Sequence, residues 1–143
     1  MGGCDQGKAR SAARNGSAGT AGERGMTAMY WLAVALGGAV GAMGRAGIAA
    51  TLTAGAGFPW QTFAANVIGS VAIGLIWAAL ERADAPPLWG ALLITGVLGG
   101  FTTFSAFSLE TLLLFERGAW QTAIWYVALS VLSCVVGAGL GVW

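Results

Sequence analysis

The charges of this chain lie too far apart for a soluble fold. From Met29 to Trp143 the charged side chains are Arg45, Glu81, Arg82, Asp84, Glu110, Glu116 and Arg117, and the gaps between them are membrane-sized. A helix crossing a hydrocarbon core of about 30 Å needs about 20 predominantly apolar residues. Four stretches reach that length: 30–50, with Arg45 toward its end, then 60–80, 88–115 and 120–143. Over all 143 residues 9% are charged and 57% hydrophobic, whereas a soluble domain carries about 25% charge. A soluble enzyme and a nucleic-acid binder are both excluded by that balance. The absence of His removes imidazole metal ligands, Ser/His and Cys/His nucleophilic pairs and His proton relays, so enzymatic chemistry is not expected.

The boundaries between the stretches carry their own signals. Glu81-Arg82-Ala83-Asp84 followed by Pro86-Pro87 predicts a loop, and Glu116-Arg117-Gly118 a second one. Trp31, Trp60, Trp77, Trp89, Trp120 and Trp143 fall near the expected helix ends, where an amphipathic ring sits well at headgroup level. Seven ordinary buried Trp are the alternative. In lipid, helices satisfy every backbone donor and acceptor within the segment, so the expectation is an all-α membrane protein of four transmembrane helices. Residues 1–28 hold Asp5, Lys8, Arg10, Arg14, Glu23 and Arg24 among Gly, Ala, Ser and Thr, a composition that predicts a disordered basic tail before a four-helix transmembrane domain at 29–143. Met26 and Met29 are alternative translation starts. Cys4 and Cys134 have no evident disulfide or zinc partner.

Orientation is weakly specified. Without the tail, Arg82 lies on one side of the membrane and Arg45 and Arg117 on the other, a bias too small to fix topology. Insertion in both directions, and an antiparallel dimer of identical subunits, are open to such a chain. Pairs of small residues four apart, Gly37/Gly41, Ser70/Gly74, Gly96/Gly100 and Gly137/Gly141, mark one close-packing stripe on each span.

Several polar groups lie where lipid penalises them. Asn66 sits mid-span and needs a partner, either an interhelical hydrogen bond or an anion in a pore that its amide donors face. Arg45 either snorkels to the interface or draws anions to a vestibule. The third span is long, and Gly96, Gly99, Gly100, Thr102, Thr103 and Ser105 predict that its helix breaks mid-membrane, freeing carbonyls able to coordinate a hard cation such as sodium. Phe104 and Phe107 share a face beyond that break; they either pack in the ordinary way or turn positive ring edges toward an anion. Tyr126 and Ser130, four apart, share a face of the fourth span. Glu110 is the one carboxylate inside a span and lies nearer its end than its centre, which favours a channel over a proton antiporter.

GGAVGAMGR, TFAANVIGS and GVLGGFTTFSAFSLE, in that order and each on its own span, closely resemble the Fluc, or CrcB, family of bacterial fluoride channels. The resemblance covers about 29–143. It implies a dual-topology, antiparallel homodimer in the bacterial inner membrane, with two pores that export fluoride passively and so relieve its toxicity. It further implies a structural, untransported Na+ at the dimer centre, held by the backbone carbonyls of Gly99 and Thr102. By motif position, Asn66, Phe104, Phe107, Ser105, Tyr126, Ser130 and Thr62 fall on the pore, and Arg45 and Glu110 near the vestibules. Ala106 stands where the family often has Thr, and Ala46 where an aromatic residue is common. A small proton-coupled exporter of four-helix type is the competing reading; it wants a carboxylate in the first span, which has none. A non-transporting membrane scaffold leaves Asn66 and the break unexplained.

Overall fold

The computed structural model describes residues 5–52 and 57–143, with side chains from Thr27 onward, and is all-helical over the described residues. Helix α1 runs Asp5–Thr51 and α2 Trp60–Arg82. The third span is composite: α3 (Pro87–Trp89), a π-helix (Gly90–Leu98), α4 (Gly99–Phe101), two extended residues, and α5 (Phe104–Glu116). Helix α6, Trp120–Val142, completes the chain. Four segments are long and apolar enough to cross a membrane: Thr27–Thr51, Trp60–Arg82, Pro87–Glu116 and Trp120–Val142. These match the expected spans to within a few residues.

Two local differences have physical reasons. Helix α1 begins at Asp5, inside the segment whose composition reads as disordered; Ala9, Ala12, Ala13, Ala18 and Ala21 have the highest helix propensity, and the crossing part starts only at Thr27. The division at residue 28 is thus one of composition, and Cys4 lies outside the described residues. Pro87 opens the third span instead of belonging to the loop, because the first helical turn does not need the N–H that proline lacks.

Both described turns end helices in the same way. After α5, Gly118 takes φ 75° and its N–H donates to the Phe115 carbonyl, while Ala119 N–H donates to that of Leu114. After α2, Asp84 takes φ 44°, with Asp84 N–H on Glu81 and Ala85 N–H on Leu80. This pair of bonds satisfies carbonyls that the last turn leaves open.

The small-residue stripes mesh in two pairs. A Cβ added to Gly96 would lie 2.9 Å from Gly37 Cα, so the first span and the π-helical half of the third touch backbone to backbone. A Cβ on Gly74 would lie 2.9 Å from Gly141 Cα, and α2 meets α6 as closely. Helix α5 leaves the first pair and packs against α6 and α2. All seven Trp are exposed, which sets aside the buried alternative.

Candidate functional site

The break falls at Thr102 and Thr103, whose backbones are extended (φ −83°, ψ 154° and φ −148°, ψ 113°). Thr103 caps α5: its Oγ1 accepts from Ala106 N–H at 3.3 Å, a role for which Thr is well suited. Asn66 on α2 supplies what the broken helix cannot. Thr103 N–H donates to Asn66 Oδ1 at 2.7 Å, and Asn66 Nδ2 donates to the Thr103 carbonyl at 3.1 Å. One hydrogen of Nδ2 takes up that bond, and the amide carries a second.

The same bonds decide which carbonyls are left open. In an unbroken helix Thr103 N–H would return to Gly99 and Ala106 N–H to Thr102; both are committed elsewhere. Arg45 Nε donates to the Gly100 carbonyl at 3.2 Å, placing a cation at the C-terminal end of α4, where the helix dipole favours it. Leu98 accepts twice, from Thr102 N–H and Thr102 Oγ1, each at 2.9 Å. The carbonyls of Gly99 and Thr102 are therefore hard oxygen donors without those helical partners, a donor set that suits an alkali cation.

Beside the break lies a cavity of about 430 Å³ whose lining includes Asn66, Thr103, Phe104, Phe107, Ser130 and Cys134. Gly99 and Thr102 also reach it. The Phe104 and Phe107 rings stand 5.4 Å apart at 45°, Phe104 at 77% exposure and Phe107 buried. Ser130 is buried, and its Oγ has no hydrogen-bond partner among the described residues. Ser105 is exposed and shares a 3.2 Å hydrogen bond with Thr103 Oγ1.

Thr62, Glu110 and Tyr126 form a second group. Thr62 Oγ1 donates to Glu110 Oε1 and Tyr126 OH to Oε2, both at 2.7 Å, so one carboxylate on α5 ties α2 and α6 together. Tyr126 links the groups, because its ring lies 5.1 Å from that of Phe107. Of the residues expected at a site, Asn66, Gly99, Thr102, Phe104, Phe107 and Ser130 thus meet at the cavity. Thr62, Glu110 and Tyr126 adjoin it, Arg45 reaches the break from the first span, and Ser105 flanks the break from outside the cavity. Sequence reasoning did not single out Thr103 as the partner of Asn66. It also passed over Cys134, although its spacing of four from Ser130 and eight from Tyr126 puts it on the same helix face.

Known proteins resemble this chain over most of its length. A protein named fluoride-specific ion channel FluC from Novosphingobium aromaticivorans is 51% identical over 112 residues, covering 76% of this chain and 89% of its own length. Others of that name come from Saccharophagus degradans, 45% identical over 105 residues (72% of this chain, 79% of the relative), and from Chelativorans, 47% identical over 119 residues (80% and 95%). A family model described as CrcB-like protein, Camphor Resistance (CrcB), matches residues 32–142. With four spans, an amide holding a broken third helix, and a family match that runs from the first span through the last, the chain belongs to the CrcB-like family.

Proposed function

We propose that this chain is a fluoride channel, not an enzyme, which lets the anion leave the cytoplasm passively across the bacterial inner membrane and so relieves its toxicity. The observation that carries the reading is Asn66, which fixes the break through Thr103 and stands beside the Phe104–Phe107 pair at one cavity. Fluoride is small and strongly hydrated, and a pore that admits it must replace its water with donors. The second Nδ2 hydrogen of Asn66 and the Ser130 hydroxyl supply two, and the positive ring edges of Phe104 and Phe107 supplement them. The apolar remainder of the lining excludes the hydration shells of other ions. Thr62, Glu110 and Tyr126 brace the wall behind Phe107, and Arg45, bonded to the Gly100 carbonyl, adds positive potential at the break and not at the vestibule that the resemblance implied. Nothing in the first span provides the embedded carboxylate that a proton-coupled exporter requires.

The working unit in this reading is an antiparallel homodimer in the lipid bilayer. Its support is the near absence of orientational bias and the exposure of Phe104, a large ring that one subunit leaves open beside the cavity. The carbonyls of Gly99 and Thr102 would hold the structural Na+, which would offset the negative ends of their dipoles.

Fluoride efflux from proteoliposomes, followed with a fluoride electrode and charge-balanced by valinomycin, tests the reading. Rapid fluoride release with negligible chloride release is the expected result. No release from folded, sodium-supplied dimer would overturn it.

A further inference from the structure

Cys134 lines the cavity, yet the conduction scheme above gives it no role. It lies one helical turn beyond Ser130 on α6, and the two residues share the lining with Asn66 and Phe107. The thiol is free and half-buried. Ser130, 5% exposed, carries a hydroxyl with no partner among the described residues, so this stretch of α6 presents an unsatisfied donor to the cavity beside the thiol. Tyr126, one turn earlier, directs its hydroxyl to Glu110 instead. The α6 face thus runs from a committed phenol through an uncommitted hydroxyl to a thiol.

We propose that Cys134 is a pore-lining thiol and that small, neutral thiol-directed electrophiles close the channel by modifying it, an inference that rests on the channel reading. With methyl methanethiosulfonate as the reagent, the Cys134 sulfur attacks the sulfenyl sulfur. A Cys–S–S–CH3 bond forms, the bond between that sulfur and the sulfonyl group breaks, and methanesulfinate leaves with the electron pair while the thiol proton passes to solvent. The attached methylthio group takes up part of the cavity that Cys134 lines with Ser130, Asn66 and Phe107. Thiol reductants reverse the reaction.

The test uses full-length protein carrying Cys4→Ser, so that Cys134 is the single thiol, in the fluoride-efflux assay. Treatment lowers the efflux rate by about tenfold or more, as expected when an apolar group intrudes among the donors that replace the anion's water, and dithiothreitol restores it. A Cys4→Ser/Cys134→Ser variant keeps its own untreated rate on exposure to the reagent. Intact-mass spectrometry follows labelling in parallel. Complete labelling with unchanged efflux overturns the proposal, and so does a Cys134 that stays unlabelled in a conducting channel. An untreated protein that passes no fluoride sinks the channel reading itself, a result distinct from either.

Discussion

Asn66 grips Thr103 by both of its backbone groups, accepting from the N–H at 2.7 Å and donating to the carbonyl at 3.1 Å across the helix break. An amide side chain offers donor and acceptor side by side without carrying a charge. Asn66→Asp keeps the acceptor, turns an oxygen toward the Thr103 carbonyl, and adds negative charge beside the cavity. Fluoride efflux falls by about a hundredfold or more, and the unpaired carbonyl costs about 1–3 kcal/mol of stability. An unchanged efflux rate would remove Asn66 from the pore.

The carboxylate of Glu110 accepts from two helices, so its donors do not act independently. Tyr126→Phe retains the ring 5.1 Å from Phe107 and deletes only the hydroxyl; Thr62→Val does the same on α2. Each lowers stability by about 1 kcal/mol. The double variant departs from the sum by at least about 0.5 kcal/mol. Thermal unfolding of the four proteins in detergent checks this, and strict additivity would mean that Glu110 does not couple α2 to α6.

Asp84 holds a left-handed backbone, φ 44°, at a position where helices usually place glycine. Asp84→Gly relieves a strain of about 1 kcal/mol. It raises the unfolding midpoint and leaves fluoride efflux unaltered, because the residue lies in the loop between spans. A fall in the midpoint would show that the Asp side chain contributes more than its backbone strain removes.

Gly96 and Gly90 sit six residues apart with opposite tolerances. Any Cβ at Gly96 meets the backbone of the first span, whereas one at Gly90 meets nothing within 4 Å. Gly96→Leu abolishes the monodisperse peak in size-exclusion chromatography. Gly90→Ala is tolerated and gains up to about 1 kcal/mol from helix propensity. Equal behaviour of the two variants would contradict the pairing of the first and third spans.

Much of this was readable before any coordinates. Hydrocarbon thickness converts the long gaps between Arg45, the Glu81–Asp84 cluster and Glu116-Arg117 into spans, and Gly96, Gly99 and Gly100 with Thr102, Thr103 and Ser105 announce a helix that breaks. The rest depends on partners that a linear pattern does not name. The stripes at Gly37/Gly41 and Gly96/Gly100 are visible singly, but their meshing follows from packing. The π-helical bonding of Gly90–Leu98 has no compositional mark, since it changes only which N–H meets which carbonyl. Thr103 looks like one more hydroxyl until α2 brings Asn66 against its backbone. Cys134 has no disulfide or zinc partner to mark it in the sequence, and its place on the Tyr126–Ser130 face gains meaning only where that face borders the cavity.

The interruption at Thr102 and Thr103 also partitions the third span. Its first half is keyed to the first helix by backbone contact, and its second half leans on α6 and α2. A straight rod has one tilt and one rotation to satisfy every neighbour, but a rod cut in the middle has two of each. Substitutions on either side of the cut should accordingly vary with little mutual penalty, leaving the hinge itself as the part of the span with least room to change.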